Sequence, residues 1–251
     1  MEQAKNQINF LDNEGLLWKG IKMKKLAIIP AYNEQASILN TVRDIKMNAP
    51  EFDYVVVNDC STDGTLDVCE KEGINCIKLP VNLGIGGAVQ AGYLYGVRNG
   101  YDIAVQFDGD GQHSALYLEE MVDYLIDNSA DMVIGSRFIK NEGFQSSRLR
   151  RMGIKHFNLL IKMLTGRSIT DPTSGMRMVN GDVMRLFSED YPKDYPEPES
   201  VVYIMSKGKK VLEIPVLMNE RKEGISSISP TKSVYYMIKV TIAIFIARVR
   251  K

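Results

Sequence analysis

The segment Asp108-Gly109-Asp110-Gly111-Gln112-His113 has the residue types and the spacing of a metal-binding turn. Its first two carboxylates stand two residues apart, and the glycines between and after them let the backbone bend so that both can face one cation. Hard oxygen ligands of this kind suit Mn²⁺ or Mg²⁺, which keep coordination positions open for phosphate oxygens. Asp108 and Asp110 are therefore candidate ligands of a divalent ion beside a phosphorylated substrate.

Three alternative structures compete with a metal-binding turn. Asp and Gly also favour ordinary surface turns, and an isolated Asp-x-Asp sequence would most simply be such a turn. An EF-hand loop is excluded because its sixth position would be His113 instead of glycine and because a strand precedes it. A dinucleotide-binding loop beginning at Gly84 is excluded because the third glycine of that motif would fall on Val89. The glycine-rich turn at Gly84 could still approach a phosphate or nucleotide closely.

Short apolar segments alternate with helical patterns over the first half of the chain. Strands are predicted at residues 25–29, 54–57, 74–79, 103–107 and 132–134, and helices at 37–47, 65–72, 86–97 and 116–126. This alternation predicts an α/β fold with a mainly parallel central sheet and helices on both faces. Because ligands bind beyond the carboxyl ends of such strands, we expect Tyr32, Asp59, Gly84 and Asp108 on one rim.

The pattern is less regular after Ser136. We expect a basic amphipathic helix at 148–164, a turn and short strand at 171–179, a proline-rich loop at 191–198, a helix at 199–206 and a strand at 210–216. The basic run Arg148, Arg150, Arg151 and Lys155 is usually a solvated face, but it could also meet phosphates of an acceptor or of a membrane surface.

Composition narrows the class of protein. The 251 residues, 45% of them hydrophobic, suit one large α/β domain, alone or with a small appendage. Lys plus Arg equals Asp plus Glu at 31 each, so no overall field favours a nucleic-acid partner. Cys60, Cys69 and Cys76 lack the spacing of a zinc site and are expected as reduced thiols, which fits a cytoplasmic location.

The motifs of this chain resemble those of glycosyltransferase family 2, which has the Rossmann-like GT-A fold. The matching segments, in order, are residues 28–34, 57–65, 82–84, 108–113, 135–138 and 171–177. The last three resemble the branch that contains dolichyl-phosphate mannose synthase and bacterial polyprenyl-phosphate glycosyltransferases. The resemblance implies an inverting, metal-dependent enzyme that moves a sugar from a nucleoside diphosphate sugar, UDP-linked, to a polyprenyl phosphate or to a lipid-linked or cell-surface glycan.

The resemblance also implies roles for single residues. The donor would be held by residues that follow five predicted strands, namely Pro30, Tyr32, Glu34, Asp59, Gly84, Asp108 and Arg137, with Asp59 near the base. Asp108, Asp110 and Gln112 would bind the metal and the diphosphate. Asp110 and Glu199 would be catalytic, Glu199 being preferred over Glu197 as the acidic residue near the acceptor. Arg137, Asp171 and Arg177 would lie at the acceptor, although Asp171 and Arg177 could simply pair to hold their turn. Where the family usually has Asp-Asp-Gly-Ser, this chain has Asn58-Asp59-Cys60-Ser61, so its turn could differ at Cys60.

The expected organisation has three parts. Residues 1–22 form an N-terminal extension, or come from an upstream start codon, and residues 23–216 form the transferase domain, with a nucleotide-binding half (23–138) and an acceptor half (139–216). Residues 217–251 contain a flexible basic loop and an amphipathic helix at 234–247, which is shorter than the roughly 20 apolar residues that span a bilayer. That helix could pack on the domain, form a homo-oligomer contact, or lie peripherally on the inner face of the cell membrane.

Two alternatives to this enzyme remain at the level of the sequence. A non-catalytic nucleotide-sugar-binding subunit of a larger transferase would use the same donor motifs, although intact Asp108, Asp110 and Gln112 count against it. A nucleotidyltransferase also uses an α/β sheet with metal-binding carboxylates. It would want a glycine- and lysine-rich loop after the first strand, where this chain has residues 30–34 of sequence Pro-Ala-Tyr-Asn-Glu.

Overall fold

The computed structural model describes residues 23–140, 148–193, 196–219 and 230–249, and of these 148–150, 230–236 and 249 by their backbone alone. The strands in these ranges are β1 (Lys25–Ala31), β2 (Phe52–Asn58), β3 (Cys76–Lys78), β4 (Ile103–Gln106), β5 (Met132–Ser136), β6 (Arg177–Asn180) and β7 (Val211–Pro215). The helices are α1 (Ile38–Asn48), α2 (Thr65–Lys71), α3 (Gly84–Arg98), α4 (Leu118–Asp127), α5 (Arg148–Thr165), α6 (Gly181–Glu189), α7 (Pro196–Ser206) and α8 (Pro230–Val249). The predicted extension at 1–22 and the basic loop at 221–227 lie outside the described residues, and the domain boundaries stay a prediction.

One sheet contains all seven of these strands, in the order β3-β2-β1-β4-β6-β5-β7. Six strands run parallel, and β6 alone pairs antiparallel, with β4 on one side and β5 on the other. The carboxyl ends of the six parallel strands therefore share one edge, and β6 begins there at Arg177. The predicted α/β class and mainly parallel sheet are confirmed.

Helices cover both faces of the sheet. Leu26 and Ile28 of β1 pack into a core with residues of α3, α5, α6, α7 and α8, while Ala27 and Ile29 pack into a second core with residues of α1 and α4. Because both faces of β1 are covered, its sequence is a continuous apolar run without alternation of polar residues.

Three elements differ from the sequence-based expectation. The prediction of a loop at 191–198 is wrong at its carboxyl end, because α7 begins at Pro196. Proline is tolerated in the first turn of a helix, because an N–H there would have no partner within the helix. Helix α6 was not predicted, although Asn180 caps it by accepting a hydrogen bond from the Val183 N–H at 3.0 Å. Helix α8 is longer than 234–247.

The C-terminal helix α8 packs on the domain. Val240, Ile244 and Ala247 are buried, and they join the core formed with α5 and α7. Among the helices of the described ranges, none combines the length and the hydropathy needed to cross a membrane.

Candidate active site

A cleft of about 560 Å³ opens at the carboxyl ends of β1, β2 and β4. It lies where the strand order reverses between β1 and β4, which is the usual ligand position in open α/β sheets. Its lining contains seven residues predicted from the sequence: Pro30, Tyr32, Glu34, Asp59, Gly84, Asp108 and Asp110. The structure thus brings together segments that are up to 80 residues apart in the chain.

The loops that follow β1 and β2 are tied to each other by side-chain hydrogen bonds. The Asn33 amide oxygen accepts the Thr62 N–H at 2.8 Å, and the Asn33 N–H donates to the Ser61 hydroxyl at 3.0 Å. Asn33 and Cys60 both adopt left-handed backbone conformations, with φ of 58° and 57°. Cys60 therefore takes the conformation that favours glycine, and the turn keeps a glycine-type geometry without a glycine.

Asp59 is held in position from two sides. Its backbone N–H donates to the Ala31 carbonyl at 2.9 Å, and its Oδ1 accepts the Leu83 N–H at 2.7 Å. The carboxylate is buried, yet it contributes to the wall of the cleft. The loop that opens α3 thus fixes the orientation of the residue expected near the nucleotide base.

Polar side chains orient the first carboxylate of the Asp-Gly-Asp motif. The Asp108 Oδ1 accepts a hydrogen bond from the Gln106 side chain at 3.0 Å, and the Asp108 N–H donates to His113 Nδ1 at 3.0 Å. His113 Nε2, which carries the proton when Nδ1 accepts, lies 3.6 Å from Asp108 Oδ2. Gln106 and His113 are both buried. Neither residue was assigned a role from the sequence, although a glutamine that ends an apolar strand is a signal for one.

A glycine of the 171–177 segment packs against the same carboxylate. A Cβ atom built on Gly175 would lie 2.3 Å from Asp108 Oδ2, so a side chain there would displace the carboxylate. On the other side of the motif, the Gln112 N–H donates to Asp110 Oδ1 at 3.0 Å, and the Gln112 carbonyl accepts the Asn219 N–H at 2.8 Å. The motif therefore lies between the loop that precedes β6 and the segment that follows β7.

The oxygen atoms available at this site fit a cation that binds together with a phosphorylated ligand. Within the described ranges, no three His, Cys, Asp or Glu side chains are grouped so that they could hold a metal ion by themselves. Asp108 and Asp110 supply two carboxylates to the cleft, whereas Gln112 is not in its lining and its side-chain amide donates to the Asn219 carbonyl at 3.4 Å. The role of Gln112 as a metal ligand stays a prediction. Mg²⁺ and similar ions commonly take one or two carboxylates from a protein and complete their coordination with phosphate oxygens and water. The residues thus suit a shared metal site.

Asp171 forms its ion pair with Arg137, which contradicts the alternative that Asp171 and Arg177 pair. The Arg137 Nε donates to Asp171 Oδ2 at 2.6 Å, and its Nη2 donates to Oδ1 at 2.7 Å. Asp171 has no exposed surface, and Arg137 is nearly buried. The pair joins the end of β5 to the loop that precedes β6.

Arg177 supports two loops from the interior. Its guanidinium donates to the Pro172 and Ser174 carbonyls at 2.6 Å and to the Ser200 hydroxyl at 2.8 Å, and it also donates to the Glu197 carbonyl. The side chain is fully buried, so touching an acceptor would require the surrounding loop to move. Its acceptor contact stays a prediction, while its observed contacts join the loop before β6 to the start of α7.

A half-buried carboxylate that was not predicted holds the Asp171 loop. Glu213 of β7 accepts hydrogen bonds from the N–H groups of Thr170 (2.7 Å) and Asp171 (2.8 Å), and from the Thr170 hydroxyl at 3.0 Å. Burial raises the pKa of the Glu213 carboxyl above its ordinary value, although these hydrogen bonds act in the opposite direction. An acidic residue inside the apolar strand β7 was the available signal.

Glu199 lies in the first turn of α7 and is half-buried, outside the lining of the cleft. Its predicted catalytic role stays a prediction. The neighbouring Glu197 is also half-buried and outside that lining. The pKa of Tyr191 is raised well above its ordinary value by burial first, and the charges of Glu197 and Asp108 both contribute to the increase. The charge of Glu197 thus acts on the same buried tyrosine as that of Asp108, and Glu197 is a second acidic candidate.

A comparison with known families and structures adds to this geometry. Residues 26–187 match the family model described as Glycosyl transferase family 2. The chain belongs to glycosyl transferase family 2. The predicted family is thus confirmed, and the chain is a glycosyltransferase by membership.

Relatives of this family 2 chain include polyprenyl-phosphate glycosyltransferases, as the resemblance implied. The chain is 32% identical over 218 residues to undecaprenyl-phosphate mannosyltransferase of Micrococcus luteus, which covers 82% of this chain and 88% of the relative. It is 30% identical over 227 residues to polyprenol monophosphomannose synthase of Mycolicibacterium smegmatis, which covers 86% and 85%.

The fold is similar to that of glucosyl-3-phosphoglycerate synthase from Mycobacterium tuberculosis. Its complex with Mn²⁺, UDP-glucose and phosphoglyceric acid superimposes with a TM-score of 0.68 at 18% identity, over 90% of this chain and 79% of that structure. At this identity the likeness confirms the GT-A fold and carries no further conclusion.

Proposed function

We propose that this family 2 chain is an inverting transferase that moves a sugar from a UDP-linked donor to a polyprenyl phosphate. The observation that carries the proposal is the cleft at the β1/β4 reversal, because it combines the predicted nucleotide-binding residues with Asp108 and Asp110. The names of the two bacterial relatives support the acceptor class. UDP-N-acetylglucosamine–dolichyl-phosphate N-acetylglucosaminyltransferase of Methanococcus voltae, 30% identical over 209 residues, supports both the acceptor class and a UDP donor.

The donor nucleotide would lie along the loops that follow β1 and β2. Asp59 is a buried acceptor for an N–H of the base, and Tyr32, which is half exposed, has an aromatic face for the base or ribose. Gly84, with φ of 75°, opens α3 beside the cleft and would allow a phosphate to approach the backbone. Pro30 and Glu34 complete this wall.

Asp108, Asp110 and Gln112 would hold Mn²⁺ or Mg²⁺ together with the diphosphate. The ion would neutralise the charge that develops on the leaving diphosphate. The protein contributes pre-orientation, because Gln106, His113 and the packed Gly175 fix Asp108 before substrate binds. A fixed carboxylate does not have to reorganise during the reaction, which favours the transition state.

The chemistry of the acceptor decides which residues are needed on the other side. A lipid phosphate is already anionic, so its oxygen can attack the anomeric carbon in line while the bond to the diphosphate breaks, and it needs cationic contacts more than a base. Arg137 at the end of β5 would supply such a contact. A glycan hydroxyl acceptor would instead need a carboxylate to take its proton, which is the role predicted for Glu199.

Location follows from the same chemistry. A polyprenyl phosphate lies in a bilayer, so the enzyme would work peripherally, on the inner face of the cell membrane where the donor is made. A non-catalytic donor-binding subunit is the second candidate, and it would bind the same donor without turnover.

A transfer assay tests this function. The protein is incubated with Mn²⁺ and radiolabelled UDP-glucose, UDP-N-acetylglucosamine or GDP-mannose in separate reactions, each with either undecaprenyl phosphate in detergent or a glycan as the acceptor. We expect label in the organic phase with a UDP sugar, and inverted anomeric configuration in the product by NMR. Donor binding without transfer to lipid phosphate or glycan would favour the non-catalytic subunit. Transfer only to a glycan would refute the lipid acceptor, and transfer only from GDP-mannose would refute the UDP donor.

A further inference from the structure

Helix α5 exposes a stripe of large apolar side chains. Met152, Leu159 and Met163 are each at least 58% exposed. They lie seven and four residues apart, so they share one face of the helix. The opposite face is buried through Ile154, Phe157 and Ile161, so the exposed stripe is an addition to the core-facing one and does not serve the packing of α5.

Helix α8 exposes a second apolar stripe. Ile238, Ile242, Phe245 and Ile246 are each at least 50% exposed, and their spacing of four, three and one places them on one face. The face that packs on the domain carries Val240, Ile244 and Ala247 instead. A helix that is apolar on two opposite faces usually contacts an apolar environment on both of them.

The two stripes lie next to each other. His156, which is on the exposed face of α5 between Met152 and Leu159, hydrogen-bonds through Nε2 to the Thr241 hydroxyl of α8 at 3.1 Å. Further along, the Arg248 Nε donates to the Leu164 carbonyl at 2.9 Å. The helices therefore run side by side in the same direction, and their exposed apolar side chains form one surface, here called the α5/α8 surface.

Charge selects the partner of this surface. The sequences of α5 and α8 contain lysines and arginines but no aspartate or glutamate, although acidic and basic residues are equally numerous in the whole chain. Arg151, Lys155 and Lys162 are exposed next to the apolar stripe of α5. A second copy docked by two-fold symmetry would oppose basic residues with basic residues. An anionic lipid surface instead offers an apolar layer beneath a negative one.

We propose that the α5/α8 surface docks on the surface of an anionic phospholipid bilayer, with its apolar side chains among the upper acyl chains. Docking here deepens the proposed function, because a lipid-phosphate acceptor lies in the same bilayer. Helix α5 also connects to the acceptor side of the site, since the Asn158 side chain, next to Leu159, donates to the Thr170 carbonyl at 3.0 Å. Thr170 adjoins Asp171, the partner of Arg137.

Vesicle flotation tests the docking without any sugar donor or polyprenyl lipid. The full chain is mixed with one of two kinds of phosphatidylcholine vesicle. One kind contains no anionic lipid, and the other contains roughly 30% phosphatidylglycerol as the anionic lipid. We expect strong flotation with the anionic vesicles and weak flotation with the neutral ones. Equal flotation on both, or none on either, would overturn the proposal.

Exposed-site variants locate the contact. Leu159→Glu with Met163→Glu, and separately Ile242→Glu with Phe245→Glu, should each lower the fraction floated on anionic vesicles at least tenfold, because both stripes enter the bilayer. Met47→Glu is the matched control, since Met47 is also an exposed apolar side chain but lies on α1 at the other face of the sheet. Lys155→Glu with Lys162→Glu should abolish the preference for anionic vesicles. Wild-type flotation by the stripe variants would overturn the proposal.

Two controls separate other causes. Light scattering after size exclusion reports the oligomeric state: a wild-type dimer that the stripe variants convert to a monomer, without any vesicle binding, would identify the surface as a dimer interface and reject lipid docking. The transfer assay in detergent reports the proposed function independently. Stripe variants should keep that activity, so a failed flotation leaves the proposed function standing, and a failed transfer assay leaves the docking result standing.

Discussion

The Arg137 guanidinium and the Asp171 carboxylate form two hydrogen bonds, of 2.6 and 2.7 Å, in the interior beside the cleft. The pair joins the end of β5 to the loop before β6. Glu213 of β7 accepts a hydrogen bond from the Asp171 N–H of the same loop. The three strands β5, β6 and β7 are thus linked by one hydrogen-bonded network. Its rigidity positions the side of the site that we assign to the acceptor.

The first prediction concerns the stability of that pair. Asp171→Asn should lower the free energy of unfolding by about 3 kcal/mol, because it leaves the buried Arg137 charge without its counter-charge. Chemical denaturation monitored by circular dichroism measures the change. Arg185→Gln breaks a pair with the same 2.6 Å separation to Asp182, but at the surface, so it should cost less than about 1 kcal/mol. Equal effects of the two variants would contradict the buried role of Asp171.

The second prediction concerns Gly175. Gly175→Ala should leave the melting temperature nearly unchanged, since the clash is with the end of one side chain, but it should weaken Mn²⁺-dependent donor binding at least tenfold by displacing Asp108. Calorimetric titration measures the binding. Gly181→Ala is the control, because its new Cβ would meet its nearest atom at 3.4 Å, which is an ordinary contact. Undiminished binding by Gly175→Ala would show that Asp108 does not hold the metal.

The third prediction concerns pH. Burial raises the pKa of Glu213 above its ordinary value of 4.5, so between the two values the folded state binds more protons than the unfolded state. The contribution of Glu213 to the free energy of unfolding is therefore fully present below pH 4.5. It is lost as the pH rises through the raised pKa of the folded state. Thermal unfolding of the wild type and of Glu213→Gln, which cannot titrate, should show the wild type losing stability relative to the variant over that window. If the wild type instead gained stability relative to the variant as the pH rises, the predicted direction of the pKa shift would be contradicted.

The fourth prediction separates the two acceptor chemistries. If the acceptor is a lipid phosphate, no base is needed, and Glu199→Gln should keep kcat within about tenfold of the wild type. A hydroxyl acceptor would make the loss about 100-fold or more, the usual contribution of a general base. Glu197→Gln in the same assay tests the neighbouring carboxylate, and a large loss there alone would move the catalytic assignment to Glu197.

Much of the nucleotide-binding part of the site could be predicted from the sequence, because its residues lie in short segments directly after predicted strands. Each strand of the first half is an apolar run ended by a distinct polar segment, and parallel pairing brings segments such as Asn33, Asp59 and Asp108 to one edge. The left-handed turn at Cys60 was the uncertain point there, and hydrogen bonds between neighbouring loops maintain it.

The acceptor side could not be predicted in the same way, because its contacts depend on the antiparallel insertion of β6. That strand brings Arg177 between β4 and β5, where its side chain is fully buried. Asp171 consequently faces Arg137 and not Arg177. Nothing in the spacing of 171 and 177 distinguishes these partners, since the choice is made by the tertiary arrangement.

Metal-dependent binding of a nucleotide sugar is the most direct test of the assigned cleft. Isothermal titration of the wild type with UDP sugars should show binding in Mn²⁺ that EDTA abolishes. Asp110→Ala, with circular dichroism and melting temperature like those of the wild type, should bind at least 100-fold more weakly, because one carboxylate of the shared site is gone. If no nucleotide sugar binds in a metal-dependent manner, or if Asp110→Ala binds as tightly as the wild type, the assignment of the cleft is wrong.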